Sequence, residues 1–370
     1  MPPRATPPFR ADHVGSLLRP PELLRAREDR AAGRITAEEL RAAEDIAIVD
    51  AVRLQQEVGL QSATDGEYRR TEWHTDFVRR LGGVREGKAT GIVKGHGRDD
   101  EEITYEAHAT EVTGKVHLAE TIFGDDFGFL AGAVTRATPK LTIPSPSMAH
   151  FRADLTGSGY TDPEQFRSDL AGAYAEEIRR LAGLGCRYLQ LDDTVFAFLN
   201  DPRWRAMAAS QGMDPDHQHE INVQVVNQAL AGRPADLAVT MHMCRGNYRS
   251  TWFTSGGYDF VAEAVFSTVA VDGLFLEYDD ERSGSFEPLR FVPDRTLVVL
   301  GLITTKTPQL EAKDDLKRRI DEAARYVPLE RLCLSPQCGF ASTAEGNALT
   351  RDQMRAKLEL AVETAAEVWG

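Results

Sequence analysis

His242-Met243-Cys244 places an imidazole and a thiol two residues apart at the end of the apolar run Ala238–Met243. Alternate residues of a strand face the same side, so both side chains can reach one ion. Glu277 closes the apolar run Gly273–Glu277, and Cys338 lies three residues beyond the run Arg331–Ser335. Two thiols, one imidazole and one carboxylate form a donor set suited to Zn2+. Two thiolates favour a borderline-soft ion over Mg2+ or Ca2+. The same residues also fit a structural reading, with Cys244 and Cys338 as small buried apolar side chains and His242 as a satisfied core histidine. Cys186, after the helix-ending Gly185, and Cys333, inside an apolar run, read as core.

Other apolar runs also end in reactive groups. They lead into Gly15-Ser16, Asp65-Gly66-Glu67, Pro144-Ser145-Pro146-Ser147, Asp192-Asp193 and Glu277-Tyr278-Asp279-Asp280. Paired acids such as Asp192 and Asp193 can bind an amine, carry protons or hold a second metal. One of them could equally cap the next helix. Arg69 and Arg70 close behind Glu67 suggest either recognition of an anionic group or a buried ion pair. His13 and His74 lie near such termini and are candidates for substrate contact, whereas His217 and His219 read as surface residues.

These groups need a scaffold that gathers them. Eight short apolar runs suit buried strands: Phe9–Gly15, Gln61–Gly66, Leu141–Pro144, Tyr188–Asp192, Ala238–Met243, Gly273–Glu277, Leu297–Leu302 and Arg331–Ser335. Helical segments alternate with them. Thr36-Ala-Glu-Glu39 and Thr350-Arg-Asp-Gln353 are capping boxes, and Asp162-Pro163 and Thr307-Pro308 combine a cap with proline at the first helical position. The Thr307-Pro308 signal predicts a helix reaching about Arg325. The expected fold class is α/β, a (β/α)8 TIM barrel whose strand ends share one rim. A doubly wound sheet is the alternative, although Gly15-Ser16-Leu17-Leu18 is not the Gly-rich first turn it usually needs. Two excursions are expected, a helical one over Pro21–Glu57 and a β-hairpin insertion at about 82–131, after the second strand. No composition shift marks a linker, so residues 1–370 are read as a single catalytic domain.

The 370 residues carry a net charge of −14, which argues against nucleic acid and anionic membrane as partners, since both need a basic face. No apolar run is long enough to span a bilayer, and the Pro-rich start lacks a secretory core. Four cysteines are too few for a disulfide scaffold, which points to a reduced, cytoplasmic compartment. A homo-oligomer is compatible with this composition.

His242-Met-Cys244, Glu277 after its apolar strand and Ser335-Pro-Gln-Cys338-Gly339 closely resemble the zinc site of the cobalamin-independent methionine synthase family. Gly15-Ser16, Asp65-Gly-Glu67 and Leu189-Gln-Leu-Asp192 extend the resemblance in the family's order, from Phe9 to Trp369. The resemblance implies a (β/α)8 barrel with Zn2+ held by His242, Cys244, Glu277 and Cys338. It also implies that the Gly15-Ser16 backbone, Glu67 and Asp192 bind an amino-acid thiol, with the two acids facing its amine. The implied reaction is methyl transfer to a zinc-activated thiol, by default homocysteine to methionine, without cobalamin on this chain. A general acid is needed for the leaving group, and Asp193, His74 and Lys306 are the candidates.

The pattern departs from the long family members in three ways. They have two barrels, whereas this chain resembles the short stand-alone form in its Gly66–His74 stretch and its Ile143-Pro-Ser-Pro-Ser147 turn. That turn replaces a Gly-Pro-Val-Thr turn near the folate position, so the methyl donor is methyl-folate or another compound. Thr304-Thr305-Lys306 stands where long members place a histidine. The alternatives are a related zinc-thiolate alkyltransferase of the epoxyalkane–coenzyme M type, and a non-catalytic barrel with structural zinc or none.

Overall fold

The computed structural model describes residues 4–96, 102–210 and 212–370. The first half contains helices α1 (Pro21–Ala31) and α2 (Ala37–Glu57), strand β1 (Ser62–Ala63), helix α3 (Thr75–Val78), strands β2 (Gly82–His96) and β3 (Glu102–His117), helix α4 (Gly124–Ala133), strands β4 (Thr138–Pro139) and β5 (Leu141–Pro144), helix α5 (Pro146–Phe151) and strand β6 (Ala153–Asp154). Next come helix α6 (Pro163–Gly183), strand β7 (Tyr188–Asp193), helices α7 (Val195–Phe198), α8 (Pro202–Ser210) and α9 (Gln218–Leu230), strand β8 (Ala238–Met243) and helix α10 (Asp259–Phe266). The chain ends with strands β9 (Gly273–Glu277) and β10 (Leu297–Ile303), helix α11 (Lys313–Ala323), strand β11 (Leu332–Pro336) and helix α12 (Arg351–Trp369).

The core of this α/β fold is a parallel sheet in the order β11-β10-β9-β8-β7-β5. β5, β7, β9 and β11 are buried at every position, as expected of strands covered on both faces. β1 pairs in parallel with β4, just before β5, and Ala11 forms a parallel bridge to Leu334 of β11. The capping boxes at Thr36 and Thr350 form, and Asp162 caps α6. β2 and β3 pair antiparallel, and β3 also meets β6. Residues 97–101 of the expected insertion lie outside the described residues. No described helix is long and apolar enough to cross a membrane.

Two expected elements come out differently. The run Phe9–Gly15, expected to be a strand, contributes only the Ala11 bridge. Side chains replace a strand ladder along it. The Asp12 carboxylate accepts from the Phe9 and His13 N–H groups, Lys140 donates to the His13 carbonyl, Gln190 to that of Val14 and Thr64 to that of Gly15. The helix expected from Thr307-Pro308 starts later, at Lys313, with no side-chain cap. The intervening loop is held by tertiary bonds instead. Lys357 of α12 donates to the Gln309 carbonyl, and Glu311 accepts from the Thr304 N–H.

Candidate metal centre

The ends of β8 and β9 and the loop after β11 bring His242, Cys244, Glu277 and Cys338 together. One donor atom from each lies within 4.8 Å of the others, and all four residues are buried. The two sulfurs are 3.5 Å apart, and His242 Nε2 is 3.7 Å from Glu277 Oε1. Both ring nitrogens of His242 and Oε1 of Glu277 are buried with no hydrogen-bond partner. Such orphaned groups are costly unless something else takes them up. Unpartnered nitrogen and oxygen donors beside two thiols fit a bound metal ion, and the donor types suit Zn2+.

The electrostatics fit the same reading. Burial pushes the Glu277 carboxyl up to about 7. Burial opposes charge on His242, yet Cys338, Glu277 and Asp192 hold its pKa at about 9. The Cys338 thiol is drawn well below its ordinary value by the hydrogen bond with Cys244, and Cys244 is raised by the same bond.

The loop holding Cys338 is fixed by backbone geometry. Gln337 N–H bonds to the Ile303 carbonyl and Phe340 N–H to the Ser16 carbonyl, while Ser16 Oγ accepts from Ala341 N–H. A Cβ on Gly339 would lie 2.0 Å from Ser16 Oγ, so this close approach requires glycine. Asn247 and the Thr305 hydroxyl both donate to the Gly339 carbonyl, the Thr305 N–H donates to Gln337 Oε1, and Asn347 donates to the Thr305 carbonyl. Asn247 and Gln337 stand near Cys244 and Cys338 in sequence as polar residues beyond strand ends, with no role assigned from the sequence, and Asn347 gives no sequence signal, because their pairing depends on three loops meeting.

Asp192 and Glu67 lie beside this cluster. Burial pushes the Asp192 carboxyl up to about 7, with His242 opposing and Glu67 adding to the rise. Gln190 donates to Asp192 Oδ1 at 2.7 Å. Glu67 has a φ of 60°, a sparsely populated conformation for a non-glycine residue, and accepts from Thr142 Oγ1 at 2.8 Å. Gly15 packs against both, since a Cβ there would lie 2.7 Å from Thr142 and 3.2 Å from Glu67. Lys306 is buried 3.8 Å from Asp279 and feels the charges of Glu277 and Cys338.

Other candidates have different company. Asp193 accepts from Ser147 Oγ and from the Phe196 N–H, while the N-cap of α7 is Thr194 and neither acid, a correction of the cap reading. His74 Nε2 lies 2.8 Å from Arg152, a donor, so the ring is neutral with its proton on Nδ1. Burial and Arg152 both press its pKa well down. His13 is buried beside Asp12 and Lys140, with its pKa lowered to about 4 by burial and Lys140. Arg69 pairs with Glu44, Asp45 and Asp126, and Arg70 with Glu67, which favours the ion-pair reading of these arginines. His217 is exposed, but His219 is buried edge-on against Phe260, because α9 turns it inward. Cys186 and Cys333 are buried, and burial pushes each thiol up to about 12, as inert core cysteines require.

Comparison with known proteins shows the family. The family described as cobalamin-independent synthase, catalytic domain, matches residues 142–367. The uncharacterized protein YxjH of Bacillus subtilis (strain 168) is 48% identical over 98% of this chain and 95% of its own length. A methionine synthase of Pyrococcus horikoshii is 26% identical over 88% of this chain and 85% of its own length. A crystal structure from Listeria monocytogenes, provisionally assigned as a vitamin-B12-independent methionine synthase, superposes with a TM-score of 0.77 at 39% identity, covering 99% of this chain and all of that one. Family match, full-length similarity and shared fold lead to one conclusion: the chain belongs to the cobalamin-independent synthase catalytic-domain family.

Proposed function

We propose that this protein is a zinc-dependent methyltransferase that methylates a thiol, with homocysteine as acceptor and methionine as product. The observation that carries the reading is the buried cluster of His242, Cys244, Glu277 and Cys338, in which the His242 ring nitrogens and Glu277 Oε1 have no hydrogen-bond partner, beside two buried carboxyls. When bound there, zinc would supply the Lewis acidity that lets a thiol lose its proton near neutral pH.

This chain's own residues do the rest. Cys244 and Cys338 supply sulfur donors, which keep the centre electron-rich. Glu277 would be the oxygen donor, a weaker match for a borderline-soft ion than the two thiolates. Asp192 and Glu67 face the amine of the acceptor. An ammonium between them offsets the burial that otherwise favours their neutral forms. Lys306 is the cation beside the donor set, and we assign it, rather than His74 or Asp193, to the proton handling of the leaving group. His74 is engaged by Arg152, and Asp193 by Ser147 and Phe196. The Gly15-Ser16 segment lines the acceptor side.

In this proposal the eight strand positions close into a (β/α)8 barrel over residues 1–370. The parallel sheet supports closure, together with the Ala11 bridge at one edge and the Lys140 N–H to Ala63 carbonyl bond at the other. The β2–β3 ribbon is the insertion. A reducing cytoplasm suits a site that depends on two thiolates.

Incubating the zinc-loaded protein with labelled methyl donors and a panel of thiols tests the reaction. Label is expected in a thioether only when an amino-acid thiol is present. No transfer from any donor, methyl-folate included, would refute it. Asp192→Asn is expected to raise KM for homocysteine about 10–100-fold, as a charge-assisted bond of roughly 1.5–3 kcal/mol is lost, with metal content unchanged. An unaltered KM removes Asp192 from the amine site.

A further inference from the structure

Tyr258 stands immediately before α10 and is fully buried. Its hydroxyl is 3.0 Å from the Met243 carbonyl and 3.0 Å from the Glu277 N–H. It donates to the carbonyl and accepts from the amide. Neighbouring residues along a parallel strand direct their backbone groups to opposite partners. Cys244 N–H bonds to Asp193 on β7, and Tyr278 N–H bonds to Gly301 on β10. The Met243 carbonyl and the Glu277 N–H therefore face each other where the β8–β9 ladder stops, at the pair Met243 and Leu276. The Tyr258 hydroxyl occupies that next rung as a one-atom spacer. The two peptides it joins are the ones that lead into Cys244 and Glu277.

The hydroxyl is itself held in place. The Arg245 guanidinium lies 4.5 Å over the Tyr258 ring, and Tyr278 and Phe266 pack against it with ring centroids at 5.7 Å. Arg245 in turn donates to the carbonyls of Gly256 and Ser283. This aromatic and cationic clamp leaves the hydroxyl little freedom.

We infer that Tyr258 is a positioning residue for the metal centre, its hydroxyl setting the separation of Cys244 and Glu277 and hence the geometry of the four-donor set. The inference rests on the metal-site reading proposed above. It adds a residue that touches none of the donor atoms and acts through the backbone of two ligands.

Tyr258→Phe keeps the ring and its packing while removing the spacer. Tyr278→Phe is the control, since its hydroxyl is buried in the same aromatic cluster without a partner among the described residues. Each protein is loaded with Co2+, its visible absorption recorded, its affinity measured against a competing chelator, and its folding followed by circular dichroism. Tyr258→Phe is expected to stay folded, to bind Co2+ about 10–100-fold more weakly and to shift the cobalt bands, since groups that orient metal ligands carry effects of this size. Tyr278→Phe is expected to match wild type. Tyr258→Met, which also lacks the hydroxyl, is the second variant should the phenylalanine form be poorly folded. Wild-type affinity and an unshifted spectrum in the folded variant overturn the inference alone. A wild-type chain that takes up no Co2+ overturns the metal-site reading, and this inference with it.

Discussion

Replacing Cys338 with serine is expected to leave the purified protein without metal and to lower methyl transfer by at least about 10³-fold, the scale of the several kcal/mol a metal contributes to such steps. A serine hydroxyl does not ionise near neutral pH and is a poor match for a borderline-soft ion. The fold should survive. The Cys338 loop is tied by the Gln337 and Phe340 backbone bonds and by Asn247 and Thr305 on the Gly339 carbonyl, and none of these uses the thiol. Cys244→Ser should behave alike, because its N–H bond to Asp193 is kept. Metal analysis and thermal unfolding of both variants check this. If both kept wild-type zinc content, the ligand assignment would be wrong.

Asp12→Ala should be the most destabilising single substitution at the other end of the sheet. The Asp12 carboxylate accepts from the N–H groups of Phe9 and His13, from Ser62 and Tyr188 hydroxyls, and from Lys140 at 3.2 Å. Neither Asp12 nor Lys140 has any exposed side chain. Truncation strands a buried ammonium, a loss of about 3–5 kcal/mol. Chemical denaturation should show it as a lower midpoint, and adding Lys140→Met to Asp12→Ala should recover part of it. The pH response gives a second reading. Burial alone would raise the Asp12 pKa, but Lys140, His13 and Tyr188 hold it below the ordinary value. Its stabilisation is therefore complete above the usual Asp range and lost as pH falls toward the depressed pKa. The variant should lack that part of the acid limb. An unfolding free energy within about 1 kcal/mol of wild type would show that the pair contributes little.

Three buried strands are the most legible. Leu141–Pro144, Ala238–Met243 and Gly273–Glu277 have the bounds read from their apolar runs, because burial on both faces leaves little room for polar residues. The four donors could be read because each sits at or just beyond such a run. The segment Phe9–Gly15 could not, since its backbone is satisfied by Lys140, Gln190 and Thr64, residues distant in sequence. The start of α11 was obscured for a similar reason. Thr307-Pro308 carries a local helix signal, but Lys357, from the last helix, holds the loop open. His219 was misplaced because the polar stretch around it hides the side of α9 that turns inward toward Phe260. Tyr258 gave no signal at all. A tyrosine before a helix acquires meaning only when two strand ends arrive at its hydroxyl.

In the proposed function, His242, Cys244, Glu277 and Cys338 hold one zinc ion. Metal analysis of the purified, reduced protein, combined with X-ray absorption at the zinc edge, tests it most directly. The expected result is about one zinc per chain, with two sulfur neighbours at roughly 2.3 Å and the remaining neighbours nitrogen or oxygen. A folded, reduced protein free of metal, or zinc with no sulfur neighbours, would contradict it.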